Sequence, residues 1–145
     1  MSNLIPGDMG RIRIITPSNP VLAAEISITQ EVSLRWMFVG FLYTLAAGAA
    51  GNPRVSDVVF EVGGVEVIRL APVESIAATE TRTFQWRRGT KQTVLSSDDM
   101  NTNNIGQDLV LNNEVTIRTE TSNFAPNGQY SDIVLIVEEW IEPLS

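Results

Sequence analysis

The chain has 145 residues, ten Lys+Arg against 17 Asp+Glu for a formal charge of -7, and neither Cys nor His. That length fits one domain, and the acidic balance opposes phosphate backbones and anionic lipid. The missing residue types exclude disulfides, thiolate or imidazole zinc sites, Cys nucleophiles and His-based acid–base pairs. Most familiar hydrolase chemistry is thereby removed, and we expect no cofactor, no nucleic-acid partner and, on the length argument below, no membrane.

Residues 1 to 31 hold Pro6, Pro17 and Pro20 around one alternating run, Arg11-Ile-Arg-Ile-Ile15. Proline at this spacing interrupts helices and central strands. We read an extended N-terminal arm whose strand-like segment adds to a sheet, its own or a neighbour's. The first ten residues lack the basic start and continuous apolar core of a signal peptide, so export by that route is not expected.

No charge occurs from Trp36 to Pro53, which raises the question of a membrane span. As a helix, the strongly apolar part from Trp36 to Leu45 would cover about 15 Å, half of the roughly 30 Å bilayer core. As a strand it would run roughly 33 Å, followed by a small-residue turn from Ala46 to Pro53. Strict alternation puts Leu34, Trp36, Phe38 and Leu42 on one face and Arg35, Met37, Val39, Phe41 and Tyr43 on the other. The second face is also apolar and asks for a cover, either the arm or another subunit.

Asp57-Val-Val-Phe-Glu-Val62 and Val65-Glu-Val-Ile-Arg-Leu70 flank Gly63-Gly64. A Gly-Gly pair between two β-rich runs predicts a hairpin, because the two-residue turn needs positive φ. Thr79 to Trp86 reads as a strand ending at Arg87-Arg88-Gly89. Ser96 to Gln107 has the composition of a long surface loop. Leu109 to Leu111 and the turn Asn112-Asn113 lead to a half-buried strand with Val115, Ile117 and Thr119 on one face and Glu114, Thr116, Arg118 and Glu120 on the other. Tyr130 to Trp140 is the last strand, apolar on both faces from Ile133 to Val137, hence central and covered on both sides.

Seven or eight short strands without a long helix predict an all-β fold: one antiparallel β-sandwich of jelly-roll type over residues 32–145, with the arm at 1–31. Candidate chemistry is sparse. Glu138 and Glu139 are strand neighbours on opposite faces and cannot share a proton, so each is read as solvated or Arg-paired. Asp98, Asp99, Asn101, Asn103 and Asn104 offer oxygen ligands, but not at the spacing of a known calcium loop. Arg82, Arg87, Arg88 and Lys91 cluster with Phe84 and Trp86, a combination that suits single-stranded nucleic acid or a protein interface, beside the simpler reading of a strand end.

Val115-Thr-Ile-Arg-Thr-Glu-Thr-Ser-Asn, Gly128-Gln-Tyr-Ser-Asp, Leu135-Ile-Val-Glu-Glu-Trp-Ile and Thr81-Arg-Thr-Phe-Gln-Trp resemble strand patterns of small structural proteins of tailed-bacteriophage virions. The closest role is that of a capsid decoration, or cement, protein. The resemblance implies a homo-oligomer, a trimer by preference, assembled in the bacterial cytoplasm and seated on the major capsid protein at the outer shell. It brings no catalytic residues. The interface residues expected on this reading are Arg11, Arg13, Met37, Val39, Phe41, Tyr43, Arg87 and Arg88. The rival roles are a tail or adaptor component, or a carbohydrate-binding sandwich using Trp86, Tyr130 and Trp140.

Overall fold

The structure, a computed structural model, describes residues 10–49, 51–72, 74–88, 93–95, 100–105, 109–112 and 114–141, with only the backbone of 93–95, 100 and 101. Among them are eleven strands and no helix: β1 (Arg11–Ile15), β2 (Ser27–Thr29), β3 (Leu34–Ala46), β4 (Ser56–Val62), β5 (Val65–Leu70), β6 (Thr81–Arg87), β7 (Thr93–Leu95), β8 (Met100–Asn104), β9 (Val110–Leu111), β10 (Thr116–Thr121) and β11 (Gln129–Ile141). A seven-stranded sheet runs β1-β11-β3-β6-β8-β7, with β9 also on β3, and a four-stranded sheet runs β2-β10-β4-β5. The two pack face to face, so the all-β sandwich expected from the sequence is present. The finer description as a jelly roll is not carried by these strand orders, which divide the strands seven and four and include a parallel β6–β8 pair.

The segment read as an arm supplies one strand to each sheet. β1 pairs antiparallel with β11 of its own chain, and β2 pairs with β10. The charge-free stretch is β3 followed by a turn, and no helix among the described residues is long and apolar enough to cross a membrane.

β3 is central, flanked by β11 along its length and by β6 and β9 on its other side. Strict alternation fails within it. Ile136 stands opposite Gly40 but Val137 opposite Phe38, leaving Val39 as an extra residue. A bulge of one residue exchanges the two faces beyond it. Trp36 and Phe38 before the bulge and Phe41, Tyr43 and Leu45 after it therefore share the core face, all essentially without exposure. Leu42 joins Met37 and Val39 on the outside, half-buried. β11 bulges as well, at Asp132 with φ 52°, so that Tyr130 and Ile133 both point inward.

The core closes with Val58 and Phe60 of β4 and Ile117 of β10 from the smaller sheet; Phe38 meets Phe60 edge-on at 5.5 Å. The β4–β5 hairpin turns at Gly63 and Gly64 with φ 57° and 81°, as the Gly-Gly pair predicts. β10 alternates as expected, with Val115, Ile117 and Thr119 buried. Within the stretch read as a surface loop lies β8, parallel to β6, and its Asn103 is fully buried. The backbone pairing to β6 supplies the order that its Asn-rich composition argues against. Of the calcium candidates, Asp98 and Asp99 lie outside the described residues, and the burial of Asn103 removes it from a solvent-facing ligand set.

Candidate docking face

The two outer faces of the sandwich differ in chemistry. On the four-stranded sheet, Arg69 binds Asp57 at 2.7 Å, Glu66 at 2.6 Å and Glu120 at 2.8 Å, while Arg118 binds Glu61 at 3.0 Å and Glu120 at 3.1 Å. Val59 stands in register between these two arginines and is fully buried, covered by their aliphatic stems. The hydrogen bonds from Arg69, then Arg118, hold the Glu120 carboxyl below its ordinary range. These groups keep water at their edges, so each pair is worth little individually, and the face as a whole is polar.

The outer face of the seven-stranded sheet carries an apolar strip, interrupted by Glu138, which is in register with both Ile12 and Met37. Register places Ile14 beside Ile136 and Val134 beside Leu42, with Met37 and Val39 completing the strip. Ile12 and Ile14 are 59% and 64% exposed. Val134 and Ile136 are half-buried rather than covered, so β11 is central, as expected, but among the described residues its outer side has only neighbouring side chains for shelter. One end of the strip is basic: Arg35 lies 4.8 Å over the Trp140 ring, Arg88 Nη1 donates to Met37 Sδ at 3.5 Å, and exposed Arg87 is in register with Gly40.

The expected interface residues are thus divided. Met37, Val39, Arg87 and Arg88 are on this face. Phe41 and Tyr43 are not, because the bulge at Val39 turns them into the chain's own core, where the second sheet covers them. Arg11 and Arg13 point to the inner side of the sheet, toward Glu139. Arg82 is separated from Arg87 and Arg88: it is buried and ion-paired to Glu80 at 3.2 Å and Glu74 at 3.8 Å. Lys91 lies outside the described residues.

Glu139 was not singled out from the sequence beyond the reading that it could be Arg-paired, yet among the described residues it is the most buried carboxylate in an ion pair. It is 4% exposed and accepts from Arg11 Nη2 at 2.8 Å, Arg13 Nη1 at 2.7 Å and Trp36 Nε1 at 3.0 Å. Burial alone would push its carboxyl up, but the donations from Arg13, Arg11 and Trp36 outweigh that and hold it at about 2. Arg13 also binds Glu31 at 2.8 Å. The partners lie 126 and 128 residues away in the chain, so no local pattern announces them; the alternation of Arg with Ile in β1 was the available signal.

A shallow pocket of about 220 Å³ lies between Pro17, Pro20, Glu25 and Ile133. Among the described residues no group of three or more His, Cys, Asp or Glu is arranged to hold a metal ion. Of the aromatic residues that a flat sugar platform would use, Trp86 and Tyr130 are buried in the core and Trp140 lies against Arg35. No protein-family model, no curated protein and no solved structure matches this chain.

Proposed function

We propose that this protein is a noncatalytic structural component of a tailed-phage virion, a capsid decoration protein that seats the outer face of its seven-stranded sheet on the major capsid protein. The observation supporting docking by that face is the contrast between the two outer surfaces: one is a ladder of ion pairs, the other an apolar strip from Ile12 and Ile14 across Ile136 to Leu42, with Glu138 beside Ile12 and arginines at one end. A contiguous exposed apolar patch marks an interaction surface, and an apolar centre with a polar rim is the anatomy of a protein interface. The virion setting rests on the strand-pattern resemblance.

The strip spans three strands, β1, β11 and β3. At about 4.8 Å per strand and 3.3 Å per residue over some six residues, it covers roughly 300 Å² in projection. A stable interface takes about 800 Å² from each partner, so a single copy holds weakly and linked copies hold by avidity. The glycan-binding alternative loses support because two of its three aromatic residues are in the core.

The test is binding to capsids assembled from the same phage's major capsid protein without this chain. The wild type should bind and raise the temperature at which the shells open. Ile14→Glu, which changes only an exposed position, should abolish both effects without moving the urea midpoint of the free protein. Equal binding by wild type and variant, or no binding by either, rejects the proposal.

A further inference from the structure

Strand β1 is held in an unusual way for a sheet strand. Its inward-facing side chains are Arg11 and Arg13, its outward-facing ones are the exposed Ile12 and Ile14, and only Ile15 packs against the core. Its docking therefore depends on a five-residue backbone ladder and on two guanidinium groups meeting one buried carboxylate, rather than on apolar burial. Such a strand belongs to the low-stability end of a fold.

The connection on its C-terminal side is short and stiffened. The chain is fixed again at Pro20, whose carbonyl accepts from Gln129 Nε2, and at Ala23, whose N–H donates to Gly128 O at 2.9 Å. Between Ile15 and Pro20 lie Thr16, Pro17, Ser18 and Asn19, a segment that reaches about 14 Å when extended. The edge of β11 is specific in its demands: the ladder needs an extended strand, and Glu139 needs two arginines at alternate positions. The only such sequence in the chain is Arg11-Ile-Arg13, and every copy carries it.

We propose that the β11 edge around Glu139 is a socket for an Arg-x-Arg strand, and that two copies of the chain exchange β1 through it. The exchanged strand recreates every contact of the closed form, so the balance is set by hinge conformation and protein concentration, as in other domain swaps. The charge match selects the occupant: a second copy offers Arg11 and Arg13 at the spacing Glu139 requires. Exchange would link two apolar strips in one particle. It does not depend on the virion reading, because it concerns only how copies of this chain join.

The absence of Cys makes a cross-linking test clean. In the register, Ile12 is opposite Glu138. Oxidising a mixture of the single variants Ile12→Cys and Glu138→Cys should give several-fold more covalent heterodimer than the control mixture of Ile12→Cys with Val65→Cys, which sits on the exposed edge of the other sheet. Native mass spectrometry of isotopically mixed wild-type protein supplies a measurement without any cross-link. Mixed dimers are expected, and Arg11→Gln/Arg13→Gln, which loosens the strand equally in the closed and exchanged forms, should make them appear several-fold faster at an unchanged final fraction while leaving the chain folded by circular dichroism. A wild type that stays strictly monomeric at all concentrations overturns the proposal. So do mixed dimers that form no faster in the double Arg variant, or heterodimer no more abundant than in the control.

Discussion

Trp86 and Glu25 stand at opposite ends of one chain of buried hydroxyls. Trp86 Nε1 donates to Tyr43 Oη at 3.0 Å; Tyr43 meets Ser56 at 3.1 Å, Ser56 meets Tyr130 at 2.7 Å, Tyr130 meets Thr121 at 2.6 Å, and Thr121 donates to Glu25 Oε1 at 2.7 Å. An indole can only donate and a carboxylate can only accept. Each hydroxyl has one proton, so all four must point the same way, toward Glu25. Burial raises the Tyr43 phenol well above its ordinary value and pushes Tyr130 up to about 12, so both stay protonated and available as donors.

Ser56→Ala interrupts this relay at its middle. Tyr43 loses its acceptor and Tyr130 its donor inside the core, and leaving such groups unmatched costs about 1–3 kcal/mol. Urea unfolding of Ser56→Ala, Tyr130→Phe and the double variant should give single losses in that range and a double loss smaller than their sum, because both cut the same chain. Strict additivity would show that the hydroxyls do not act together.

Glu139 gives acid unfolding a defined component. Its carboxyl is held at about 2 against an ordinary 4.5, so the native state binds its proton less readily than the unfolded chain. A depressed value stabilises above the unfolded pKa, and that stabilisation is lost as pH falls from about 4.5 toward 2. The shift corresponds to about 3 kcal/mol at neutral pH. Chemical denaturation at stepped pH should show this fall in wild type, and Glu139→Gln should show a shallower profile over the same window; an unchanged slope contradicts the assignment.

Asp132 adopts φ 52° at the β11 bulge, a conformation that glycine reaches without the Cβ clash and a β-branched residue reaches at a cost of about 1–2 kcal/mol. Asp132→Gly should be neutral or slightly stabilising, and Asp132→Val destabilising by that amount. Equal midpoints for the two variants in thermal unfolding would mean that the bulge relaxes.

Gly64, with φ 81° and no other atom within 4 Å of an added Cβ, isolates the backbone effect. Gly64→Ala meets no steric neighbour and should still lose about 1 kcal/mol through strain in the turn. A variant as stable as wild type would indicate that the hairpin can change turn type freely.

The parts of this fold that were legible in the sequence are those set by neighbours in the chain. Gly63-Gly64 specifies its hairpin because both residues take positive φ, and Val115, Ile117 and Thr119 alternate because β10 has no bulge. The faces of β3 were misread because one extra residue, Val39, inverts the parity of everything after it, and the residues around it do not mark the site. β8 was hidden because its order comes from parallel pairing with β6 rather than from β-forming side chains. On the docking face the same two causes act: Leu42 was lost to it and Phe41 and Tyr43 wrongly gained by parity, while the Glu139 cluster depends on contacts across most of the chain.

The position of β11 between β1 and β3 carries a consequence for how the protein is made. On the ribosome, β1 and β3 emerge early, and neither can complete its pairing until the strand that separates them has been synthesised more than eighty residues after β3. The larger sheet therefore cannot assemble progressively, and closing such non-local pairs is slow. During that wait the Arg11–Arg13 strand has no socket on its own chain, and the nearest completed Glu139 belongs to another copy.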